Sequence, residues 1–516
     1  MEYFNFAVDV MDRWAASQPQ GLALWCLDPA TGSQTKFNFR QLSRLSHQAA
    51  NFFQAHGVRQ GMAVLVLLHR VPEWWICMLG LIRLGAVPIP GTTQLTTRDL
   101  KYRIETARVG ALVTDADGAV KTQDFPGLRF AVSGGVEGWI DFRDYEQAET
   151  VFSGPTTLAD DPGIVYFTSA TTGEPKMVLH SQASYGLGHE VTGKLWLDLQ
   201  PGDVLWNVSD VGWAKAAWSS LFGPWHGGAC VFAVNSRGRF EPVAILKILA
   251  EYPISVWCAP PTALRLIIRE DLGRWRFPYL RHCVTAGEPL NPEVFRAWKK
   301  ATGLTIHEGY GQSETVVLVG NFRSLGQSVK PGSMGKATPG YPVVLVDENL
   351  REVGGGEEGE IALRLEPERP LGLFREYLEN PPANAAHFQR GYYLTGDRAT
   401  RDADGYFWFV GRKDDIIKCA GYRIGPGEVE NALLEHPEVL EVSVIGKPDP
   451  IRGQIVKAFV ILRSGSLPCQ NLEHELQQHC KALIAPYKYP REIEFVDELP
   501  KTISGKTRRH ILRSKS

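Results

Sequence analysis

Through its first two thirds the chain alternates short apolar runs with helix-like runs, and this alternation restricts its fold more than any other feature. Residues 62–68 (MAVLVLL) read as a buried strand, 73–85 (EWWICMLGLIRLG) as a helix and 86–91 (AVPIPG) as the start of the next strand; 111–115 (ALVTD) repeats the theme. A helix between successive strands requires crossovers, so the strands run parallel and the class is α/β. Between about 331 and 410 the texture changes to short alternating strands with tight Gly and Asp turns (PVVLVDENLREVGGGEEGEIALRL, YFWFVGR). This section predicts a small antiparallel, β-barrel-like unit. Beyond Gly411 a helix from Pro426 to His436, the strands EVSVIG and VKAFVIL and a basic tail predict a compact α+β domain. The expected division is a large N-terminal domain of parallel-sheet α/β subdomains over 1–411, a junction at 412–415 and a small C-terminal domain over 416–516.

A length of 516 residues gives room for two to four folding units. The formal net charge of −2, with no long basic stripe, argues against a nucleic-acid partner. Eight scattered cysteines form no CxxC pair and have no His spacing suited to zinc, so they read as reduced thiols. The stretch from Trp74 to Val87 is interrupted by Arg83 and too short to span a bilayer, so no integral membrane segment is expected. The first twenty residues carry acids early and show neither a signal nor a transit pattern. A cytoplasmic setting is expected, or the mitochondrial matrix if the chain is a processed form. Oligomeric state is not legible.

Two tempting signatures fail. GGGEEG at 354–359 satisfies GxGxxG, but a strand-like run follows where a dinucleotide fold needs a helix. SGKT at 504–507 resembles the end of a P-loop, but Pro500 stands where the leading Gly belongs. The segment 166–176 (YFTSATTGEPK) is more informative: an apolar strand end runs into a loop dense in hydroxyls, with Gly173 and a closing Lys176, the composition of a phosphate cradle. Lys506, between Gly505 and Thr507, reads as a mobile cation suited to reach an anionic centre elsewhere.

Five segments occur in a fixed order: YFTSATTGEPK, HEGYGQSET (307–315), YYLTGDRA (392–399), GRKDDIIKCAGYRIGP (411–426) and PKTISGK. Together they resemble the adenylate-forming superfamily of acyl-CoA synthetases, luciferases and peptide-synthetase adenylation domains. EYFNFA, YFTS, SDVGW (209–213) and GYGQSET are similar to its medium-chain acyl-CoA synthetase branch. The resemblance implies a ligase of fatty acid metabolism using ATP, Mg²⁺ and coenzyme A. A carboxylic acid attacks the α-phosphate of ATP, giving an acyl-adenylate and pyrophosphate, and the CoA thiol then displaces AMP.

The resemblance also implies roles for particular residues. Thr168, Ser169, Ala170, Thr171, Thr172, Gly173, Glu174, Pro175 and Lys176 would wrap the β- and γ-phosphates. Ala170 replaces the family's first loop glycine and tolerates positive φ poorly, so Ala170→Gly is expected to raise the adenylation rate. Tyr310 would stack on adenine, with Glu308, Gly309, Gly311 and Gln312 around it and Gly287, Glu288 and Pro289 as the opposite wall. Ser313, where the family usually has Thr, would contact the α-phosphate, and Glu314 would hold Mg²⁺. Asp397 and Arg412 would hold the ribose, Asp414 would be the hinge, and Lys506 would bridge the substrate carboxylate and the α-phosphate. Ala420, Gly421 and Tyr422 would surround the pantetheine, with Arg423, Arg452, Tyr489, Pro490 and Arg491 toward the nucleotide end of CoA. Gln94 and Trp213 would lie at the carboxylate end of the acyl pocket, and Trp206, Trp218, Trp225 and Trp257 read equally as its walls or as core. Two other readings stay open: a ligase loading an amino or aryl acid onto a carrier protein, and a non-catalytic nucleotide-binding homologue.

Overall fold

The computed structural model describes the chain except residues 133, 169–173, 239, 421 and 503–505. The expected strand at 62–68 forms over Ala63–Leu67 and lies between Val87–Pro90 and Ala111–Thr114, with Leu128–Ala131 and Ile140–Asp141 completing a five-stranded sheet. Every pairing in it is parallel. The intervening helix Pro72–Leu84 begins with proline in its first turn, where a missing N–H costs nothing, and ends at Gly85 with φ 75°. Arg83 fits inside this apolar helix because Asp12 takes its guanidinium at 2.7 Å while Ser46 Oγ and the Ala7 carbonyl accept from it at 3.0 Å.

A second sheet runs parallel through Leu22–Leu27, Cys230–Val234, Val204–Asn207, Val256–Cys258, His282–Ala286 and Ile306–Tyr310. Its ladder does not stop there. Val319–Gly320 pairs antiparallel with Ile306–Tyr310, and the sheet continues through Gly335–Ala337, Tyr406–Arg412, Tyr392–Arg401, Glu358–Arg364 and Val343–Val346. The section expected to be antiparallel therefore is so, and it is joined to the parallel sheet in one hydrogen-bonded array. A separate three-stranded antiparallel sheet is made by Pro162–Phe167, Met177–Ser181 and Glu376–Tyr377.

The chain after 416 has its own core, built on Ile417, Val429, Leu433, Val444, Val456, Val460, Leu476 and Cys480. Helices Pro426–Leu434 and Gln470–Leu483 cover a sheet centred on Gly453–Leu462. The first of these helices stops two residues short of the expected His436, where the His436 N–H turns back to the Leu433 carbonyl at 3.1 Å.

This architecture explains where a site forms. The segments 209–213, 287–289 and 311–314 directly follow the carboxyl ends of Val204–Asn207, His282–Ala286 and Ile306–Tyr310, and in open α/β sheets ligands bind at that edge. Among the described residues no helix is long and apolar enough to cross a membrane.

Candidate active site

Strand Ile306–Tyr310 delivers HEGYGQSE to the sheet edge, and packing there dictates two of its glycines. A Cβ on Gly309 would come within 2.5 Å of the Trp196 ring, and one on Gly311 within 2.4 Å of Trp218. Trp218 therefore abuts the site. Trp206, Trp225 and Trp257 are core residues, each at most 2% exposed.

Asp397 is the hub of the polar set. Tyr310 donates its hydroxyl to Asp397 Oδ2 at 2.8 Å, Gln312 donates its amide to the same oxygen at 2.6 Å, and Arg412 stands 3.8 Å from Oδ1. Gln312 is oriented by Tyr393, whose hydroxyl donates to its Oε1 at 2.9 Å. Strands Tyr392–Arg401 and Tyr406–Arg412 place Asp397 directly opposite Arg412. Burial pushes the Asp397 carboxyl up, while Arg412, Tyr310, Gln312 and Lys506 pull the other way. Burial also works against the Arg412 charge, but Asp397, Glu314 and Asp415 outweigh it and raise the guanidinium.

Ser313 is fixed by its carbonyl, which accepts from the Tyr185 hydroxyl at 2.6 Å and from His180 Nε2 at 2.8 Å. Burial depresses His180 to about 3, so the ring is neutral, and a carbonyl partner requires the proton on Nε2. The Glu314 carboxylate is buried and accepts the Tyr377 hydroxyl at 2.7 Å. Among the described residues no group of three or more His, Cys, Asp or Glu gathers to hold a metal. A cation at Glu314 would thus take one carboxylate from the protein and its other ligands from phosphate and water, which suits Mg²⁺.

At the ends of the segment 168–176, the Thr168 N–H donates to the Lys176 carbonyl at 2.9 Å and the Lys176 N–H to Thr168 Oγ1 at 3.1 Å. Ser169, Ala170, Thr171, Thr172 and Gly173 lie outside the described residues. Glu174 is exposed, and the Pro175 carbonyl accepts from Tyr102 at 3.1 Å. On the opposite wall Gly287 has φ 103° with open space where a Cβ would be, and Glu288 pairs with Arg265 at 3.3 Å. Exposed Pro289 precedes Leu290, whose N–H donates to Glu308 Oε1 at 2.9 Å and so ties this wall to the HEGYG strand. Burial raises the Glu308 carboxyl to about 8.

The loops bearing Gln94 and Trp213 touch, since a Cβ on Gly212 would come within 2.2 Å of the Thr92 nitrogen. Gln94 is exposed and Trp213 half-buried. Two side chains in this region belong to no sequence motif. Lys215, two residues after Trp213, donates to the Ala286 carbonyl at 2.9 Å, and burial lowers its ammonium pKa. Tyr377 lies outside every motif quoted above. A Lys two positions beyond an aromatic and a Tyr in FREYL have no local signature.

The Lys506 backbone is paired with Thr502. Its N–H donates to Thr502 Oγ1 at 3.1 Å, its carbonyl accepts from the Thr502 N–H at 2.7 Å, and Lys501 bridges to Thr507. Its positive charge acts on both Asp397 and Lys215. The helix Arg509–Ser514 that follows is tied to the segment 412–415: Arg509 reaches Asp415 at 3.2 Å and Glu430 at 2.7 Å, and Arg513 reaches Asp415 at 2.6 Å. Asp414 itself is exposed, and its neighbour Lys413 pairs with buried Glu360 at 3.0 Å.

The residues expected around CoA belong to the C-terminal part of the chain. Ala420 has φ 49°, and its N–H donates to the Arg452 carbonyl at 2.9 Å; Gly421 lies outside the described residues. Tyr422 stacks on Tyr487 at 4.1 Å, Arg423 pairs with Glu348, and Arg491 donates to the Tyr489 hydroxyl at 3.1 Å, with Pro490 buried between them.

A family described as AMP-binding enzyme matches residues 11–378, and the AMP-binding enzyme C-terminal domain matches 428–506. The chain belongs to the AMP-binding enzyme family. It is 46% identical to the mitochondrial acyl-coenzyme A synthetase ACSM3 of Mus musculus, covering 100% of this chain and 91% of that protein. It is 47% identical to the mitochondrial acyl-coenzyme A synthetase ACSM5 of Homo sapiens over 99% and 90%. Among solved structures it resembles the anthranilate CoA ligase AuaEII in complex with anthranoyl-AMP (TM-score 0.89, 30% identity, 99% and 97% coverage). It also resembles an acyl-CoA synthetase of Brucella canis (TM-score 0.77, 34% identity, 99% and 94% coverage).

Proposed function

We propose that this chain is an ATP-dependent, AMP-forming acyl-CoA ligase acting on medium-chain fatty acids. One observation carries the reading: Tyr310, Gln312 and Arg412 converge on the buried Asp397 carboxylate at the sheet edge, and the positive charge of Lys506, from the C-terminal part, acts on that carboxylate. Both partners of the first half-reaction are anions, so a cation between them offsets their repulsion as the bond to phosphorus forms. The carboxylate oxygen attacks the α-phosphorus, the bond to the bridging oxygen breaks, and pyrophosphate leaves with the electron pair.

In this reading Tyr310 and the 287–289 wall enclose adenine, with Glu308, Gly309, Gly311 and Gln312 behind them. Asp397 and Arg412 take the ribose, Ser313 faces the α-phosphate, and the loop 168–176 takes the terminal phosphates. Mg²⁺ held by Glu314 would neutralise phosphate charge. Gln94 and Trp213 guide the acid's carboxylate past Trp218. Residues 1–411 and 416–516 act as two domains about a hinge at 412–415. Because the flanks of Lys506 are hydrogen-bonded and anchored through Arg509 to Asp415, the lysine leaves with the whole C-terminal domain as it turns on Asp414. That turn brings Ala420 to Arg423, Arg452 and Tyr489 to Arg491 to the site for the CoA half-reaction. Of the two settings expected, the mitochondrial matrix is the one that the names of the curated relatives favour.

A panel of C2 to C12 and aryl acids, assayed for AMP release dependent on both ATP and CoA, tests the proposal. The highest kcat/KM is expected for a medium-chain acid. AMP release that ignores CoA, or occurs with no acid of the panel, would refute it.

A further inference from the structure

The short strand Glu376–Tyr377 joins two parts of the site that are far apart in sequence. It pairs with Met177–Ser181, placing Tyr377 opposite Val178, and the bonds continue beyond the strand: the Leu378 N–H donates to the Met177 carbonyl at 3.0 Å and the Arg375 N–H to the Leu179 carbonyl at 2.7 Å. Met177 directly follows Lys176, so this pairing sets Tyr377 in register with the exit of the phosphate loop. The Lys176 ammonium lies 4.9 Å from the Tyr377 ring centroid.

The same segment grips Glu314 twice. The Phe374 N–H donates to the Glu314 carbonyl at 2.8 Å, and the Tyr377 hydroxyl donates to Glu314 Oε1 at 2.7 Å. Tyr377 has little freedom of its own. It is 2% exposed, Asn384 accepts from its N–H and donates to its carbonyl, both at 2.8 Å, and its ring meets Phe374 edge-on at 4.7 Å. The terminal torsion of a Glu side chain is otherwise broad, so a lone carboxylate presents its two oxygens over a wide arc. A phenol fixed on one oxygen defines the plane of the other.

We propose that Tyr377 is a positioning residue for Glu314: its hydroxyl fixes the carboxylate, and its strand sets that carboxylate in register with the phosphate-loop exit, so that cation and triphosphate are captured together. The proposal rests on Glu314 as the Mg²⁺ ligand. Outer partners that orient metal ligands typically contribute about 10- to 100-fold in metal affinity.

The test titrates Mn²⁺ into the full-length protein saturated with a non-hydrolysable ATP analogue, following free Mn²⁺ by electron paramagnetic resonance. Tyr377→Phe, which removes only the hydroxyl, is expected to weaken Mn²⁺ about 10-fold. Binding of the analogue without metal should stay within about twofold of wild type, a split that general loss of structure would not produce. Asn384→Ala, which frees the backbone of Tyr377 without touching Glu314, should weaken Mn²⁺ in the same direction and serves if the first variant does not fold. If Glu314→Gln weakens Mn²⁺ while Tyr377→Phe and Asn384→Ala match wild type, the positioning role is overturned and the metal ligand stands. If Glu314→Gln also matches wild type, both fall.

Discussion

Replacing Asp397 with Asn probes the ribose site without altering its shape. Tyr310 and Gln312 both donate to Oδ2, and Oδ1 faces Arg412 at 3.8 Å. An amide keeps a single acceptor oxygen. If that oxygen stays with Tyr310 and Gln312, the NH₂ group turns toward Arg412 and the sugar, where an anionic acceptor stood. A hydrogen bond to a charged group contributes about 1.5–3 kcal/mol against about 0.5–1.5 for a neutral one, and Arg412 also loses its countercharge. A net loss of roughly 2–3 kcal/mol corresponds to an ATP KM about 30- to 150-fold higher. Burial already penalises the Asp397 charge, so thermal stability should change little. The assay is carboxylate-dependent ATP–pyrophosphate exchange across an ATP series. An ATP KM within about threefold of wild type, or a fall in kcat at unchanged KM, would refute the ribose assignment.

Two further predictions follow from buried charge. Glu308 rises from its ordinary 4.5 to about 8, so between those values the folded protein holds a proton that the unfolded chain has released, and stability falls as pH rises through that window. The loss is on the order of 2 kcal/mol from about pH 6 to about pH 7.5. Glu308→Gln keeps an acceptor for the Leu290 N–H and should remove that part of the slope in denaturant titrations; an unchanged slope would count against it. Lys215 is a half-buried ammonium that donates to the Ala286 carbonyl, and the charge of Lys506 acts on it. Lys215→Met should raise stability by about 1–2 kcal/mol while lowering adenylation about 10-fold; a stability loss with normal exchange would contradict this.

The α/β layout was legible because its signal is local. Runs such as MAVLVLL have the period and length of buried strands, and Pro72 and Gly85 punctuate the helix between two of them. The continuity of the large sheet was not legible, since the pairing of Gly309 with Gly320 and of Val319 with Ala337 depends on contacts that no window of sequence contains. The site divides in the same way. Tyr310, Glu314, Asp397, Arg412 and Lys506 stand in ordered motifs, and the structure brings the first four to one sheet edge, with the charge of the fifth acting on Asp397. Tyr377 and Lys215 act through partners 63 and 71 residues away in the chain, and their importance appears only once the chain is folded. The expected mobility of Lys506 is also refined, because its N–H and its carbonyl are both hydrogen-bonded to Thr502.

The central claim is that one lysine serves only the first half-reaction. Single-turnover measurements on Lys506→Ala test it directly, comparing acyl-adenylate formation from ATP and acid with thioester formation from supplied acyl-adenylate and CoA. The account predicts adenylation reduced by about a thousandfold or more, with thioester formation within about threefold of wild type. Equal losses in the two half-reactions would contradict it.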